Sequence, residues 1–183
     1  MDTPRARIMA AARELFYWQG IQATGVEELA EKAAVSKRTL YKVFGSKDQV
    51  VTTYLAEMQA ADIGSVANLA RTDLTPRERL LALFDAPAQP ERAPLFRGCP
   101  QHNAVVELAG PDHPAHELVH RNKLATLARI TDTAREAGFA DPEAVARRLF
   151  LLLEGAMALA TSLDDVSAFG QAREIAEGLL GAA

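Results

Sequence analysis

Cysteine is nearly missing from this chain. Cys99 stands alone among 183 residues, which excludes an internal disulfide and suits a reducing compartment such as the cytoplasm. Aromatic residues are scarce as well, at 6% with a single tryptophan, against 49% apolar residues. A Leu- and Ala-rich composition of that kind fits a helical protein with a sizeable aliphatic core. Long hydrophobic runs are lacking. The most apolar stretch, Leu149 to Ala160, is too short to span a bilayer and carries Glu154, so no membrane partner and no signal peptide are expected. Also missing are G-x-S-x-G, H-E-x-x-H, Walker-type and dinucleotide-binding glycine patterns. The carboxylates are scattered over predicted helix surfaces, so neither an enzyme nor a cofactor is expected. No internal repeat or low-complexity tail occurs.

Charge is present but unevenly placed. The formal charge is −4, which argues against a general polyanion binder. Residues 1–50 nevertheless hold eight Lys/Arg against six Asp/Glu, while residues 51–183 hold twelve against eighteen. A nucleic-acid module at the front of an acidic body is the simplest account.

The stretch from Gly25 to Lys47, GVEELAEKAAVSKRTLYKVFGSK, has the pattern of two short helices joined by a tight turn. Glu27 and Glu28 favour the first turn of the first helix, and Val26, Leu29, Ala30 and Ala33 give it one apolar face. Ser36 is a suitable N-cap for the second helix. In that helix Leu40 and Phe44 point inward, leaving Lys37, Arg38, Thr39, Tyr41 and Lys42 outside. Long donors on barely two turns suit the major groove of B-DNA. The same pattern, taken alone, also describes an ordinary solvated face. Upstream, Thr3-Pro4 starts a helix over residues 4–18 whose stripe is Ile8, Ala12, Leu15 and Phe16 and whose end is Gly20. Trp18 is expected to pack rather than to stack on bases.

Taken together, Leu15-Phe16, Gly20-Ile21, Thr24-Gly25-Val26, Leu29-Ala30, Ala34-Val35-Ser36, Thr39-Leu40-Tyr41, Phe44 and Ser46-Lys47 resemble the N-terminal domain of the tetracycline-repressor (TetR) family of bacterial regulators. Phe96-Arg97-Gly98-Cys99-Pro100, Asn103-Ala104 and Glu107-Leu108 resemble the regulatory domain of one branch of it. The resemblance implies an all-α fold, with a helix-turn-helix DNA-binding domain over 1–46 and a helical ligand-binding and dimerisation domain over 47–183. It implies a sequence-specific transcriptional regulator, a repressor released from its operator by a small hydrophobic ligand. The expected DNA-contacting residues are Thr24, Ser36, Lys37, Arg38, Thr39, Tyr41, Lys42 and Lys47; in the family the residues matching Tyr41 and Lys47 grip the DNA backbone. The family often has Thr or Ser where Gly25 stands, and Thr24 is placed to substitute for that cap.

Beyond residue 47 the patterns predict a helix to about Ile63, a short one over 76–85, breaker-rich sequence over 86–103 with Pro87, Pro90, Pro94, Gly98 and Pro100, and helices over 113–137, 142–163 and 167–180. The expected ligand-binding residues are Tyr54, Met58, Phe84, Phe96, Cys99 and Asn103. Cys99 reads first as a small buried apolar side chain and otherwise as a ligand-contacting or redox-reactive thiol. His116 and His120 share a helical face, but two histidines make an incomplete shell, and no metal is expected. The helix 142–163 is apolar on more than one side, which points to a homodimer through it and the last helix; the expected interface is Leu149, Leu152, Leu153, Ala156, Phe169, Ile175 and Leu179. A single thick bundle core is the alternative. A two-fold dimer implies a pseudo-palindromic operator. A protein–protein adaptor would use the same two-sided helix without needing Lys37, Arg38 and Lys42.

Overall fold

The computed structural model describes residues 3–60, 65–85, 96–110 and 112–181. Among them there is no strand, and the fold is all-α. Helix α1, Pro4–Trp18, begins as the sequence indicates: the Thr3 hydroxyl accepts from Ala6 N–H at 3.2 Å, and Pro4 occupies the first turn. It is followed by α2, Val26–Lys32, α3, Lys37–Phe44, and α4, Lys47–Ala60. Ser46 opens α4 by accepting from Gln49 N–H at 3.1 Å. A 3₁₀ segment, Ser65–Ala70, precedes α5, Pro76–Leu81. Thr75 and Glu78 form a reciprocal capping box on α5, which runs into a 3₁₀ turn over Ala82–Phe84. Then come α6, Pro100–Glu107, α7, Pro114–Glu136, α8, Pro142–Ser162, and α9, Ser167–Gly181.

The chain forms two compact units. One comprises Met1–Ala61 and Cys99–Arg121, the other Asp62–Gly98 and Asn122–Ala183. The first unit is built on Ile8, Leu15, Phe16, Leu29, Leu40, Val50, Tyr54 and Leu55, joined by Ala104, Leu108, Ala115 and Val119. Helix α6 and the start of α7 thus complete the core beneath α1–α4, so this unit is larger than the segment 1–46. The second unit packs Leu80, Leu83, Phe84, Ile130, Leu149, Leu153, Phe169 and Leu180 together.

Several details differ from the sequence reading. Helix α6 starts at Pro100, within the stretch read as broken, because proline at the first helical position starts a helix rather than interrupting it. The 3₁₀ segment Ser65–Ala70 has no periodic signature and was not expected. Ile63, Pro87, Pro90 and Pro94 lie outside the described residues. Trp18 packs edge-on against Tyr17 but keeps 38% of its surface exposed.

The expected dimer residues need the largest correction. Leu149 and Leu153 are 0% exposed, Phe169 2% and Ala156 3% within the single chain. A side chain with no surface left cannot bury any against a second copy. Leu152 and Leu179 are half-buried, and Ile175 alone of the set is exposed. The apolar surface left open on α8 is instead Leu151, Leu159 and Leu163, at 75%, 51% and 67%. With Gly155 these make a row four residues apart, which is one ridge of a helix surface. Ile175 and Leu179 make the corresponding pair on α9.

Candidate nucleic-acid interface

The turn between α2 and α3 fixes the candidate interface. Val35 N–H reaches back to the Ala30 carbonyl at 2.9 Å and Ala34 N–H to that of Glu31 at 2.9 Å. This paired closure of a helix end requires a left-handed residue between them. Ala34 supplies it at φ 50°, which costs a non-glycine residue about 1 kcal/mol. Ser36 then caps α3, its hydroxyl accepting from Thr39 N–H at 3.0 Å and lying 2.9 Å from the Thr39 hydroxyl.

Leu40 and Phe44 are buried, and the rest of α3 is presented outward. Lys37, Arg38, Tyr41 and Lys42 are exposed, and Thr39 is half-buried. Val43 is exposed too, an apolar position on this face that the cation pattern did not single out. Lys37 forms an ion pair with Glu27 of α2, and that contact holds the Glu27 carboxyl below its ordinary range and raises the Lys37 ammonium. Arg38 and Lys42 have no ion-pair partner among the described residues. Lys47, in the first turn of α4, is half-buried; burial lowers its pKa, against the pull of Asp48 and Glu107. Arg5 lies 5.2 Å above the Phe44 ring and also meets Glu57 at 3.3 Å, while Arg13 meets the same carboxylate at 2.6 Å. Lys32 pairs with Glu14 at 2.7 Å. None of these acid partners is separated from its cation by a helical spacing, so periodicity could not reveal them.

Thr24 is removed from the expected set. It is 0% exposed, and its hydroxyl donates to the Gly20 carbonyl at 2.7 Å. Gly25 caps α2 with no side-chain hydrogen bond. The hydroxyl is used inside the loop, so it does not replace the missing cap.

The six expected ligand-binding residues are not gathered in one unit. Tyr54, Met58, Cys99 and Asn103 belong to the first, Phe84 and Phe96 to the second. Tyr54 and Phe84 are each 1% exposed and lie in the cores of their units. Tyr54 packs edge-on against Phe16 at 5.5 Å, and burial pushes its hydroxyl well above the ordinary tyrosine range. Phe96 is half-buried with its ring edge-on to Phe169 at 5.7 Å. An open groove of about 630 Å³ in the first unit is lined by none of the six; Arg5, Gln49, Thr52, Glu57, Glu117 and Arg121 line it. His116 Nε2 is 2.5 Å from the Leu108 carbonyl, and His113 Nδ1 accepts from Ala115 N–H at 3.1 Å. Among the described residues no three potential metal ligands cluster.

A capped three-helix head with a cationic second helix of the helix-turn-helix pair fits major-groove DNA, and comparison with known proteins decides its affiliation. Residues 8–53 match the family described as bacterial regulatory proteins, tetR family, and residues 76–176 match the tetracyclin repressor-like C-terminal domain. The chain belongs to the TetR family. Its members are transcriptional regulators and not enzymes. A chain from Streptomyces avermitilis assigned as a TetR-type transcriptional regulator is 32% identical, with a TM-score of 0.77 over 96% of this chain and 98% of that one. A TetR-family regulator from Streptomyces coelicolor is 29% identical, with a TM-score of 0.85 over 97% of this chain and 94% of the other. The transcriptional activator FasR of Mycolicibacterium smegmatis is 34% identical over 85 residues, which is 46% of this chain and 39% of FasR. This TetR-family protein is therefore a DNA-binding transcriptional regulator of the helix-turn-helix type. No described helix is long and apolar enough to cross a membrane.

Proposed function

We propose that this regulator is a cytoplasmic repressor that binds a pseudo-palindromic operator as a homodimer and is released by a small hydrophobic effector. In this reading 1–46 carries DNA recognition and 47–183 carries regulation and dimerisation. Arg38 and Lys42 are the base-reading cations, since they stand exposed with no acid paired to them among the described residues. That observation carries the reading. Lys37 joins them by exchanging Glu27 for DNA, while Ser36, Thr39, Tyr41 and Lys47 address phosphates. The partner copy covers the row Leu151, Leu159 and Leu163 with Ile175 and Leu179. A contiguous exposed apolar surface of this kind marks a site of association.

The effector contacts come from residues of the first unit that still have surface, Met58, Cys99 and Asn103, and the thioether and thiol among them favour an apolar ligand. Release of DNA by a hundredfold requires about 2.7 kcal/mol of coupling, delivered by tilting α4 and so changing the spacing of the two recognition helices. An activator is the second reading, favoured by the likeness to FasR.

The test is selection of genomic fragments by the purified protein, followed by mobility shift at two salt concentrations with Arg38→Ala and Lys42→Ala. Each variant is expected to lose operator discrimination. A protein that retains no fragment, or variants that bind the operator unchanged, would overturn the reading. Transcription from the bound promoter in a strain lacking the regulator should rise for a repressor and fall for an activator.

A further inference from the structure

The connection between α1 and α2, residues 19–25, carries no cap of its own for α2, because Gly25 offers no side chain. It is held instead by a residue far along the chain. Gln22 N–H donates to the Glu107 carboxylate at 2.9 Å, and the Gln22 side-chain amide donates to the Glu107 carbonyl at 3.4 Å. The fit around the carboxylate is close. A Cβ added at Gly20, whose φ is +104°, would lie 2.9 Å from one Glu107 oxygen and 3.2 Å from the other. Thr24 closes the same loop from inside by donating to Gly20. Glu107 is the last residue of α6, and α6 belongs to the same compact unit as the DNA-binding helices. A carboxylate carries the wrong charge for a phosphate contact, so its influence on DNA must run through the backbone it holds.

We infer that Glu107 is a positioning residue for DNA recognition: its carboxylate clamps Gln22 and thereby sets α2 and α3 in the arrangement that reads the operator. The clamp makes the end of α6 part of the reading head, although Glu107 lies eighty-five positions after Gln22. The inference rests on the reading of α3 as the recognition helix. It assigns the work to the acceptor oxygen and its reach, not to the charge.

Two substitutions separate these. Glu107→Gln keeps an acceptor at full length and removes the charge; Glu107→Asp keeps the charge and withdraws the acceptor by one methylene. In the full-length protein Glu107→Asp is expected to weaken operator binding about tenfold, the scale of one lost hydrogen bond. Non-specific duplex binding should stay within about twofold, because phosphate contacts carry it. The Gln22 amide should lose hydrogen-exchange protection in parallel. Glu107→Gln should keep operator affinity within about threefold of wild type and retain that protection. Glu107→Ala should resemble Glu107→Asp; should it fail to fold, the Asp and Gln pair carries the comparison. Equal operator affinity for Glu107→Asp and wild type overturns the inference, as does Glu107→Gln binding as weakly as Glu107→Asp. Wild-type protein that binds no fragment at all overturns the recognition reading itself, a different failure.

Discussion

Replacing Leu159 by Glu should turn the proposed dimer into a folded monomer, whereas replacing Leu153 by Ala should weaken the fold of each copy without separating the two. The two residues lie six apart on α8 but in opposite situations. Leu153 is 0% exposed, so truncating it leaves a cavity and costs about 2–5 kcal/mol of folding stability. Leu159 keeps 51% of its surface, so within one chain its replacement should change stability by no more than about 0.5 kcal/mol. Across an interface the balance changes. Full burial of a leucine contributes about 1.5–3 kcal/mol, so the open half of Leu159 contributes about 1 kcal/mol in each copy. Two-fold symmetry doubles that loss and buries two carboxylates without partners. The dimer dissociation constant should therefore rise at least a hundredfold, or about 2.7 kcal/mol. Sedimentation over a concentration series, with urea unfolding of the same samples, measures both quantities. Leu159→Glu remaining dimeric at every concentration would refute the placement of the interface. So would Leu153→Ala dissociating with its unfolding midpoint unchanged.

Lys47→Ala should weaken binding to operator and random duplex alike and lower the salt slope by about one; an unchanged slope removes Lys47 from the contacts. Burial lowers the Lys47 pKa in the free protein, and a phosphate would raise it. Operator affinity should therefore fall as pH rises through the lowered free-state value, before exposed lysines titrate, and Lys47→Arg should flatten that part of the profile in mobility shifts. The buried Tyr54 hydroxyl has its pKa raised, so its contribution to stability is complete below the ordinary tyrosine value of about 10 and is lost at higher pH. Tyr54→Phe should blunt alkaline unfolding, and a wild-type-like pH profile would contradict its burial. Thr24→Val should cost about 1–2 kcal/mol by leaving the Gly20 carbonyl unpaired; wild-type melting combined with lost DNA binding would return Thr24 to the interface.

The head was legible because its signals are local. A cap at Ser36, the buried pair Leu40 and Phe44, and the glycine after α3 all act within a few residues. Thr24 was misplaced because a hydroxyl at a loop end looks the same in sequence whether it meets a phosphate or a carbonyl four residues away. The clamp of Glu107 on Gln22 and the pairing of Glu27 with Lys37 are tertiary contacts without a periodic signature. On α8 the periodicity indicated apolar residues on more than one side but gave no means of telling which faced inward. That assignment depends on packing against α9, which the helix does not encode by itself. Two of the expected ligand-binding residues belong to the core for a related reason: aromatic residues such as Tyr54 and Phe84 look equally suited to wall a pocket or to fill a core.

The acids beside the cations of the head bear on how a regulator finds one site among millions. Arg5, Arg13, Lys32 and Lys37 each already hold a carboxylate. On meeting a duplex, such a cation exchanges one anion for another, and the entropy of freeing small ions from the DNA is partly offset by the acid left behind. Random genomic sequence therefore retains the protein less strongly than a count of its lysines and arginines suggests. Residence times on wrong sites shorten, hops between segments become frequent, and occupancy shifts toward the few sites where α3 gains base contacts to compensate the exchange.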